Sequence, residues 1–231
     1  MTYRISIIGA GSWGTALARL IGDNGYEVLL YDKNKESVDE INTYHSNKKK
    51  LPQGKLSDLV KATTSIKEAL DFGNIVVIVV PTKVIRSVLV DMKNVISKPI
   101  ILVNASKGIE PETYKRVSEI AYEVLGDTFI KSFVALTGPS HAEEVIEQKL
   151  TVVSAASKSS KDAKIIQKIF SNRQYFRVYI LDDLIGAELG GSLKNIIALA
   201  SGMLVGLGYG DNAKAALVTR GLVEMQKVAI A

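Results

Sequence analysis

A glycine-rich segment close to the start of the chain has the residue types and the spacing of a phosphate-binding turn. Residues 9–14 read Gly-Ala-Gly-Ser-Trp-Gly, which fits the pattern G-x-G-x-x-G. This pattern indicates a dinucleotide site only where it follows a strand and opens a helix. The apolar run Ile5–Ile8 predicts that strand and residues 15–24 predict that helix, so the context is met.

Each glycine has its own task in such a turn. Gly9 would make the tight bend, Gly11 would leave room for a pyrophosphate beside the backbone, and Gly14 would let the helix pack on the strand. Free backbone N–H groups and the positive end of the helix dipole would then hold the diphosphate. The alternative is a plain glycine-rich turn without a ligand.

The residues directly after the second predicted strand, Val28–Tyr31, would determine the preference for NAD or NADP. Asp32 stands where an acidic residue normally binds the ribose 2′-hydroxyl of NAD. Lys33 and Lys35 follow, and they could meet the 2′-phosphate of NADP or simply be solvated. Pro81, after the predicted strand Ile75–Val80, would shape the rim of the site. We expect NAD or NADP as cofactor, with NAD slightly favoured.

A single lysine lies in an otherwise uncharged stretch further along. Lys194 is the only charged residue between Leu189 and Gly210, and on a helix it shares a narrow face with small residues. Burial lowers the pKa of a lysine, so Lys194 could exchange a proton near neutral pH. The alternative is a lysine that extends into solvent. Glu188 and Asn195 are expected to flank the same edge.

Two further polar segments follow predicted strands, at the edge where open α/β sheets bind ligands. They are residues 104–108, Asn-Ala-Ser-Lys-Gly, and residues 137–143, Thr-Gly-Pro-Ser-His-Ala-Glu. Ser140 and Glu143 fit a capping box for a following helix. His141 is interpreted as an exposed turn residue.

Short β-branched runs alternate with helix-length segments over most of the chain. The predicted strands are Ile5–Ile8, Val28–Tyr31, Ile75–Val80, Ile100–Val103, Phe133–Leu136, Thr151–Ala155 and Phe176–Ile180. The predicted helices between them include residues 15–24, 84–95 and 111–125. Continuously apolar strands separated by helices predict an α/β fold with a doubly wound Rossmann-type sheet.

The pattern changes near Asp182 and Asp183, one of which should cap a helix. No strand pattern follows, and the chain reads as helix, glycine-rich turn and helix. We therefore predict a dinucleotide-binding domain at residues 1–181. Residues 182–231 are predicted to be the start of an all-helical substrate domain that is truncated.

Composition excludes several classes of function. The 231 residues contain no Cys and two His, which removes disulfides, thiolate nucleophiles and a Cys or His metal cluster. The 29 Lys and Arg exceed the 24 Asp and Glu by five, but they are scattered, so no nucleic-acid partner is expected. No uninterrupted apolar stretch reaches about 20 residues, so no membrane span is expected. A cytoplasmic location is the interpretation.

Five motifs in order along the chain carry a family resemblance. They are GAGSWGTA at 9–16, SKG at 106–108, GPS at 138–140, ELGGSLKN at 188–195 and GLGYGDNAK at 206–214. Together they closely resemble the bacterial NAD(P)-dependent sn-glycerol-3-phosphate dehydrogenase family. The resemblance covers the whole chain. It implies reversible hydride transfer between NAD(P)H and dihydroxyacetone phosphate, giving sn-glycerol 3-phosphate for phospholipid synthesis without a metal.

The resemblance also implies residue roles. Lys194 would be the proton donor and acceptor at the secondary alcohol of the substrate. Lys107 would contact both the phosphorylated substrate and the cofactor. Positions matched to substrate contacts are Gly138, Ser140 and Asn195, and positions matched to cofactor contacts are Ser12, Trp13, Lys33 and Ala142.

The chain departs from the family pattern at its end. Family members continue through further helices that carry an Asp near the reacting centre and an Arg-Asn pair for the substrate phosphate. Arg220 does not match that Arg. For the 231 residues alone we expect weakened catalysis, and exposed apolar surface that favours a homodimer or poor solubility.

Two other functions stay open at this point. One is a different β-hydroxyacid dehydrogenase, of the 6-phosphogluconate or 3-hydroxyisobutyrate type. Its asparagine usually lies a turn after the lysine, whereas Asn195 directly follows Lys194. The other is a dinucleotide-binding fragment or redox sensor without turnover.

Overall fold

The structure, a computed structural model, describes residues 3–230. The strands in that part of the chain are β1 (Arg4–Ile8), β2 (Glu27–Tyr31), β3 (Val60–Thr63), β4 (Ile75–Ile78), β5 (Ile100–Asn104), β6 (Ile130–Thr137), β7 (Thr151–Ala156) and β8 (Phe176–Leu181). The helices are α1 (Ser12–Asp23), α2 (Lys35–Tyr44), α3 (Ile66–Phe72), α4 (Thr82–Lys93), α5 (Val117–Phe129), α6 (Ala142–Ile146), α7 (Ser160–Phe170), α8 (Leu184–Gly206) and α9 (Asp211–Ile230).

The eight strands form one sheet in the order β3-β2-β1-β4-β5-β6-β7-β8. The chain runs outward from β1 to β3, returns to the other side of β1 with β4, and then continues outward to β8. The ends of β1 and β4 therefore lie at the point where the strand order reverses, which is where open α/β sheets bind ligands. This confirms the predicted doubly wound Rossmann-type sheet.

Both faces of the sheet are covered by helices. One buried cluster joins Leu17 and Leu20 of α1 and Ile166 of α7 to alternate strand residues. A second joins residues of α4 and α5, among them Leu89 and Ile120, to the opposite strand faces. Burial on both faces accounts for the continuously apolar strand sequences.

Sequence reasoning missed one strand and one strand direction. Strand β3 has four residues, and the exposed Lys61 interrupts its apolar pattern. Strand β7 pairs antiparallel with β6, whereas the other paired strands run parallel. Residues 138–150 connect β6 to β7 and contain only the five-residue α6, a shorter element than parallel crossovers normally use.

Several predicted boundaries were wrong, among them the start of α1, which is Ser12 rather than residue 15, and the start of β6, which is Ile130 rather than Phe133. Strand β4 ends at Ile78 rather than at residue 80, because the chain leaves the sheet before Pro81, which is the N-cap of α4. The helix predicted to begin at residue 111 begins at Val117. Tyr114, with φ of 57°, lies in the left-handed region and keeps the preceding segment out of the helix.

The chain after β8 consists of α8 and α9. Asp183 caps α8 by accepting from the Gly186 N–H at 2.8 Å, as predicted for this pair of aspartates. Large side chains on α8 are exposed, with Ile196 at 64% and Met203 at 58%. The division of the chain at residue 181 stays a prediction.

Helix α8 is also the one helix among residues 3–230 that is long and apolar enough to cross a membrane, with a mean hydropathy of 1.3. Gly191 in its N-terminal half lies close to Thr137 of β6. Glu188 in that half is buried and forms an ion pair with Arg116. These contacts tie the start of α8 to the α/β sheet.

Candidate active site

The glycine turn between β1 and α1 requires glycine at two of its three positions. Gly9 has φ of +118°, and a Cβ there would lie 2.5 Å from the carbonyl oxygen of Val79. A Cβ at Gly14 would overlap the carbonyl oxygen of Gly9. Gly14 therefore lets α1 start directly against the turn, as the sequence predicts.

Gly11 differs because nothing lies within 4 Å of a Cβ built there. It is the N-cap residue of α1, without a side-chain hydrogen bond to close the helix end. The turn thus leaves open space beside the first free N–H groups of α1. A diphosphate fits this position, because helix N-termini stabilise anions.

A loop after α2 holds the glycine turn in place. Asn47 is buried, and its amide donates to the carbonyl oxygen of Ala10 at 3.0 Å and to Thr15 Oγ1 at 2.9 Å. The Ser12 hydroxyl donates to the carbonyl oxygen of Lys50 at 2.8 Å. Sequence reasoning missed Asn47, because a polar loop residue carries no periodic signal of burial.

A cleft of about 300 Å³ opens beside the glycine turn, between the ends of β1 and β2 and the start of α4. It is lined by four of the predicted cofactor residues, Gly9, Asp32, Lys33 and Pro81, together with Ile8, Tyr31, Val80, Val84, Ser87 and Val88. Apolar walls with a few polar groups are typical of small-molecule sites. The size and position suit the adenosine half of a dinucleotide.

Asp32 connects the glycine turn to the end of β2. Its Oδ2 accepts from the Ala10 N–H at 3.1 Å, and its Oδ1 accepts from the Asn34 N–H at 2.8 Å. An ionised carboxylate has about four acceptor sites, so lone pairs remain for a ribose hydroxyl. Lys33 is exposed, 3.5 Å from Asp91.

Lys107 joins two of the loops that sequence analysis singled out. Its Nζ donates to the carbonyl oxygen of Ser140 at 3.1 Å and lies 5.9 Å from the centre of the Trp13 ring. Its own carbonyl oxygen accepts from Thr82 Oγ1 at 2.7 Å. Burial lowers the pKa of Lys107, and the nearby positive charge of Lys194 lowers it further. The two ammonium groups therefore place positive charge in the same part of the site.

The loop after β6 is held beside the site by close packing against β7 rather than by a helix cap. A Cβ at Gly138 would lie 2.9 Å from the carbonyl oxygen of Val152, so glycine lets this loop pass β7. The buried Ser140 directs its hydroxyl to the carbonyl oxygen of Gly138 at 3.4 Å.

The capping box predicted for Ser140 and Glu143 is therefore wrong. The N-cap of α6 is His141, without a side-chain hydrogen bond, and His141 is exposed as expected. Ala142 has its side chain in the core, so a cofactor contact there would come from its backbone. That contact stays a prediction.

Lys194 lies at the edge of the buried face of α8. Gly191, one turn earlier, contacts β6, and a Cβ there would lie 2.5 Å from Thr137 Oγ1. Lys194 is half-buried rather than enclosed, and its Nζ lies 3.3 Å from Oδ1 of the exposed Asn195. Glu188, which was expected to flank the same edge, is buried against α5.

A cavity of about 10 Å³, room for about one water, lies between these elements. It is lined by Asn104, Ser106, Lys107 and Gly108 after β5, by Ala135, Leu136 and Thr137 of β6, and by Glu188, Gly191 and Ser192 of α8. The structure therefore brings the predicted Lys107 beside the helix that carries Lys194. Asp32, Lys33 and Pro81 line the separate cleft near β2.

Two family models match the chain. The N-terminal model of NAD-dependent glycerol-3-phosphate dehydrogenase matches residues 4–163, and the C-terminal model of the same enzyme matches residues 183–231. Together they cover most of the chain.

Curated relatives and solved structures agree with that match. The glycerol-3-phosphate dehydrogenase [NAD(P)+] of Bacillus cytotoxicus is 52% identical over 97% of this chain. The same-named protein of Geobacillus kaustophilus is 52% identical over 98% of it. The glycerol-3-phosphate dehydrogenase structure from Coxiella burnetii has a TM-score of 0.89 at 36% identity, and it covers 98% of this chain and 68% of that one.

More distant structures share the fold. UDP-glucose dehydrogenase from Pyrobaculum islandicum has a TM-score of 0.64 at 16% identity over 87% of this chain and 50% of that chain. The chain spans 66% of the length of the curated relatives it matches. From the two family models and the curated relatives, the chain belongs to the NAD-dependent glycerol-3-phosphate dehydrogenase family.

Proposed function

We propose that this chain catalyses reversible hydride transfer between NADH or NADPH and dihydroxyacetone phosphate, giving sn-glycerol 3-phosphate, a precursor of glycerophospholipids. One observation carries the proposal. Lys107 links the glycine turn to the Ser140 loop and lies close enough to Lys194 for their charges to interact. Two ammonium groups beside a dinucleotide site suit a small phosphorylated substrate.

The cofactor residues fit a dinucleotide. The open space at Gly11 and the N-terminus of α1 would hold the diphosphate, and the cleft at Asp32, Lys33 and Pro81 would hold the adenosine. The nicotinamide cofactor, when bound, supplies or accepts the hydride.

The two lysines would then transfer the proton and stabilise negative charge. Reduction of a ketone to a secondary alcohol takes up one hydride and one proton. The Lys194 ammonium would donate that proton to the carbonyl oxygen, and in the reverse direction the neutral amine would accept it. The Lys107 ammonium would stabilise negative charge on the substrate. Gly138, Ser140 and Asn195 are proposed to line the substrate site.

The test is NADH oxidation with dihydroxyacetone phosphate. It uses the 231-residue chain, the same chain extended by the part of the Bacillus cytotoxicus relative that the match does not cover, and Lys194→Ala in each. NADH binding is followed by quenching of Trp13, the only tryptophan. We expect NADH binding in all four proteins and appreciable turnover in the extended wild type. Lys194→Ala should lower its kcat about 10²–10⁴-fold.

Two outcomes would contradict the proposal. An extended wild type that binds NADH without oxidising it would support a dinucleotide-binding protein without turnover. Turnover of a 3-hydroxycarboxylate but not of dihydroxyacetone phosphate would support another β-hydroxyacid dehydrogenase. A cytoplasmic location and a homodimer remain predictions from the sequence.

A further inference from the structure

Glu188 is a buried carboxylate with three hydrogen-bond donors from the start of α5. It accepts from the Ser118 N–H at 2.9 Å, from Ser118 Oγ at 2.5 Å and from Arg116 Nη1 at 3.1 Å. The residue is 9% exposed. Burial raises the pKa of Glu188, and the Ser118 and Arg116 donors oppose that rise.

These bonds are the directional link between α8 and the sheet domain. Three residues of α8 are buried, namely Leu184, Glu188 and Gly191. Leu184 contributes apolar contact, and Gly191 contributes a close approach to Thr137. Within residues 3–230, no other side-chain hydrogen bond or ion pair joins α8 to another element.

The geometry of a helix connects Glu188 to Lys194. Each residue adds about 100° of rotation and 1.5 Å of rise. Gly191 therefore lies about 60° from Glu188 around the axis, and Lys194 lies about 60° further in the same sense. A slip of α8 by one residue would rotate Lys194 by about 100° around the helix axis and so change its position relative to Lys107.

From this arrangement, and resting on the proposed function, we infer that Glu188 is a positioning residue. Its bonds to Ser118 and Arg116 set the rotation and the height at which α8 presents Lys194 to the substrate.

Packing of α8 against the sheet domain does not by itself require the Glu188 carboxylate. Replacing a buried ion pair by apolar residues of similar volume is often neutral or stabilising. Apolar contact leaves a helix free to rotate and slide, whereas three directed hydrogen bonds do not. The carboxylate at the first turn of α5 also has a favourable interaction with the helix dipole.

The test compares Glu188→Met, which keeps the side-chain volume, with Glu188→Gln, which keeps an acceptor for Ser118. Glu224→Gln on α9, where Glu224 is exposed and paired with Arg220, is the matched control. The proteins are the extended chains described above. Folding is checked by thermal unfolding, NADH binding by Trp13 quenching, and turnover by steady-state kcat and KM.

In Glu188→Met the Ser118 N–H loses its acceptor, while Arg116 keeps its ion pair with Glu119. We therefore expect a folded protein of lowered stability, with unchanged NADH binding and a kcat lowered about 10²-fold, because small misplacements of a reacting group have effects of that size. Glu188→Gln should recover part of the loss, and Glu224→Gln should match wild type. A folded Glu188→Met with wild-type kcat would overturn the inference. So would a parallel loss of folding and NADH binding, which would make Glu188 structural.

A failure of the proposed function can be distinguished from a failure of the inference about Glu188. If the extended wild type shows no turnover, the proposed reaction is wrong, and hydrogen exchange still tests Glu188. In Glu188→Met, amides 189–195 should exchange faster while those of α1 stay unchanged. Unchanged exchange in α8 would overturn the inference.

Discussion

The ammonium of Lys107 lies 5.9 Å from the centre of the Trp13 ring. Trp13 belongs to the turn that would hold the diphosphate, and Lys107 belongs to the loop after β5. This cation–π contact, typically worth about 0.5–2 kcal/mol, places a positive charge between the cofactor site and the Ser140 loop. Lys107 is therefore positioned before either ligand binds.

The charge state of Lys107 should be visible in the pH dependence of stability. Burial and the charge of Lys194 lower the pKa of Lys107 below 10.5 in the folded chain. The unfolded chain then binds more protons between the folded and unfolded pKa values, so stability rises with pH in that window. Wild type should gain stability relative to Lys107→Met as pH approaches 10.5.

Urea unfolding of both proteins from pH 7 to pH 10 measures this difference. Lys164→Met, at an exposed position of α7, is the matched control and should show no such trend. A constant difference between wild type and Lys107→Met would contradict the prediction.

Two glycines of the first turn should respond differently to the same substitution. Gly14→Ala overlaps the carbonyl oxygen of Gly9 and should lower the free energy of unfolding by about 1–3 kcal/mol. Gly11→Ala meets no protein atom within 4 Å, so stability should stay close to wild type. Its methyl group should instead crowd the diphosphate and weaken NADH binding by about 1–3 kcal/mol, or about 5- to 150-fold.

Thermal unfolding and Trp13 quenching separate these two effects. Wild-type NADH affinity in a folded Gly11→Ala protein would show that the diphosphate does not lie at this turn.

Two glycines of α8 make a second matched pair. Gly191→Ala brings a Cβ to 2.5 Å from Thr137 Oγ1, whereas Gly202→Ala meets nothing within 4 Å. Gly191→Ala should push α8 away from β6, with a cost of about 1–3 kcal/mol and reduced turnover. Gly202→Ala should stabilise the helix by about 0.5–1 kcal/mol.

The double variant Gly191→Ala with Thr137→Ala should recover part of the lost stability, because it removes the crowded oxygen. Equal unfolding free energies for Gly191→Ala and Gly202→Ala would contradict the close approach of α8 to β6.

Cofactor preference should depend on Lys33 rather than on Lys35. Lys33 lines the cleft beside Asp32, and Lys35, the first residue of α2, does not. Lys33→Ala should weaken NADPH binding by about 1.5 kcal/mol, the loss of one charged hydrogen bond, and should leave NADH binding nearly unchanged. Binding titrations of both cofactors with Lys33→Ala and Lys35→Ala test this, and equal effects of the two variants on NADPH would contradict it.

Local patterns predicted the parts of the site that consist of consecutive residues. The glycine turn, the strand before it and the helix after it follow from residues 5–24. Lys194 could also be recognised as a candidate from the sequence, because it is the only charged residue between Leu189 and Gly210. The short β3 and the antiparallel direction of β7 were not predicted, because strand pairing depends on neighbouring strands rather than on the sequence of the strand itself.

Contacts between residues that are far apart in the sequence could not be predicted from such local patterns. Glu188 and Ser118 are separated by 70 residues, and Asn47 and Ala10 by 37 residues. Sequence analysis noticed Glu188 but not its partner Ser118, because helix periodicity does not reveal which distant element a helix face meets.

The central claim is that Lys194 meets the reacting carbonyl beside a dinucleotide held at the Gly9–Gly14 turn. A crystal structure of the extended chain with NAD⁺ and sn-glycerol 3-phosphate tests it most directly. We expect Lys194 Nζ within about 2.6–3.2 Å of the secondary hydroxyl oxygen. A ternary complex with Lys194 Nζ in solvent and another group at that oxygen would contradict the account.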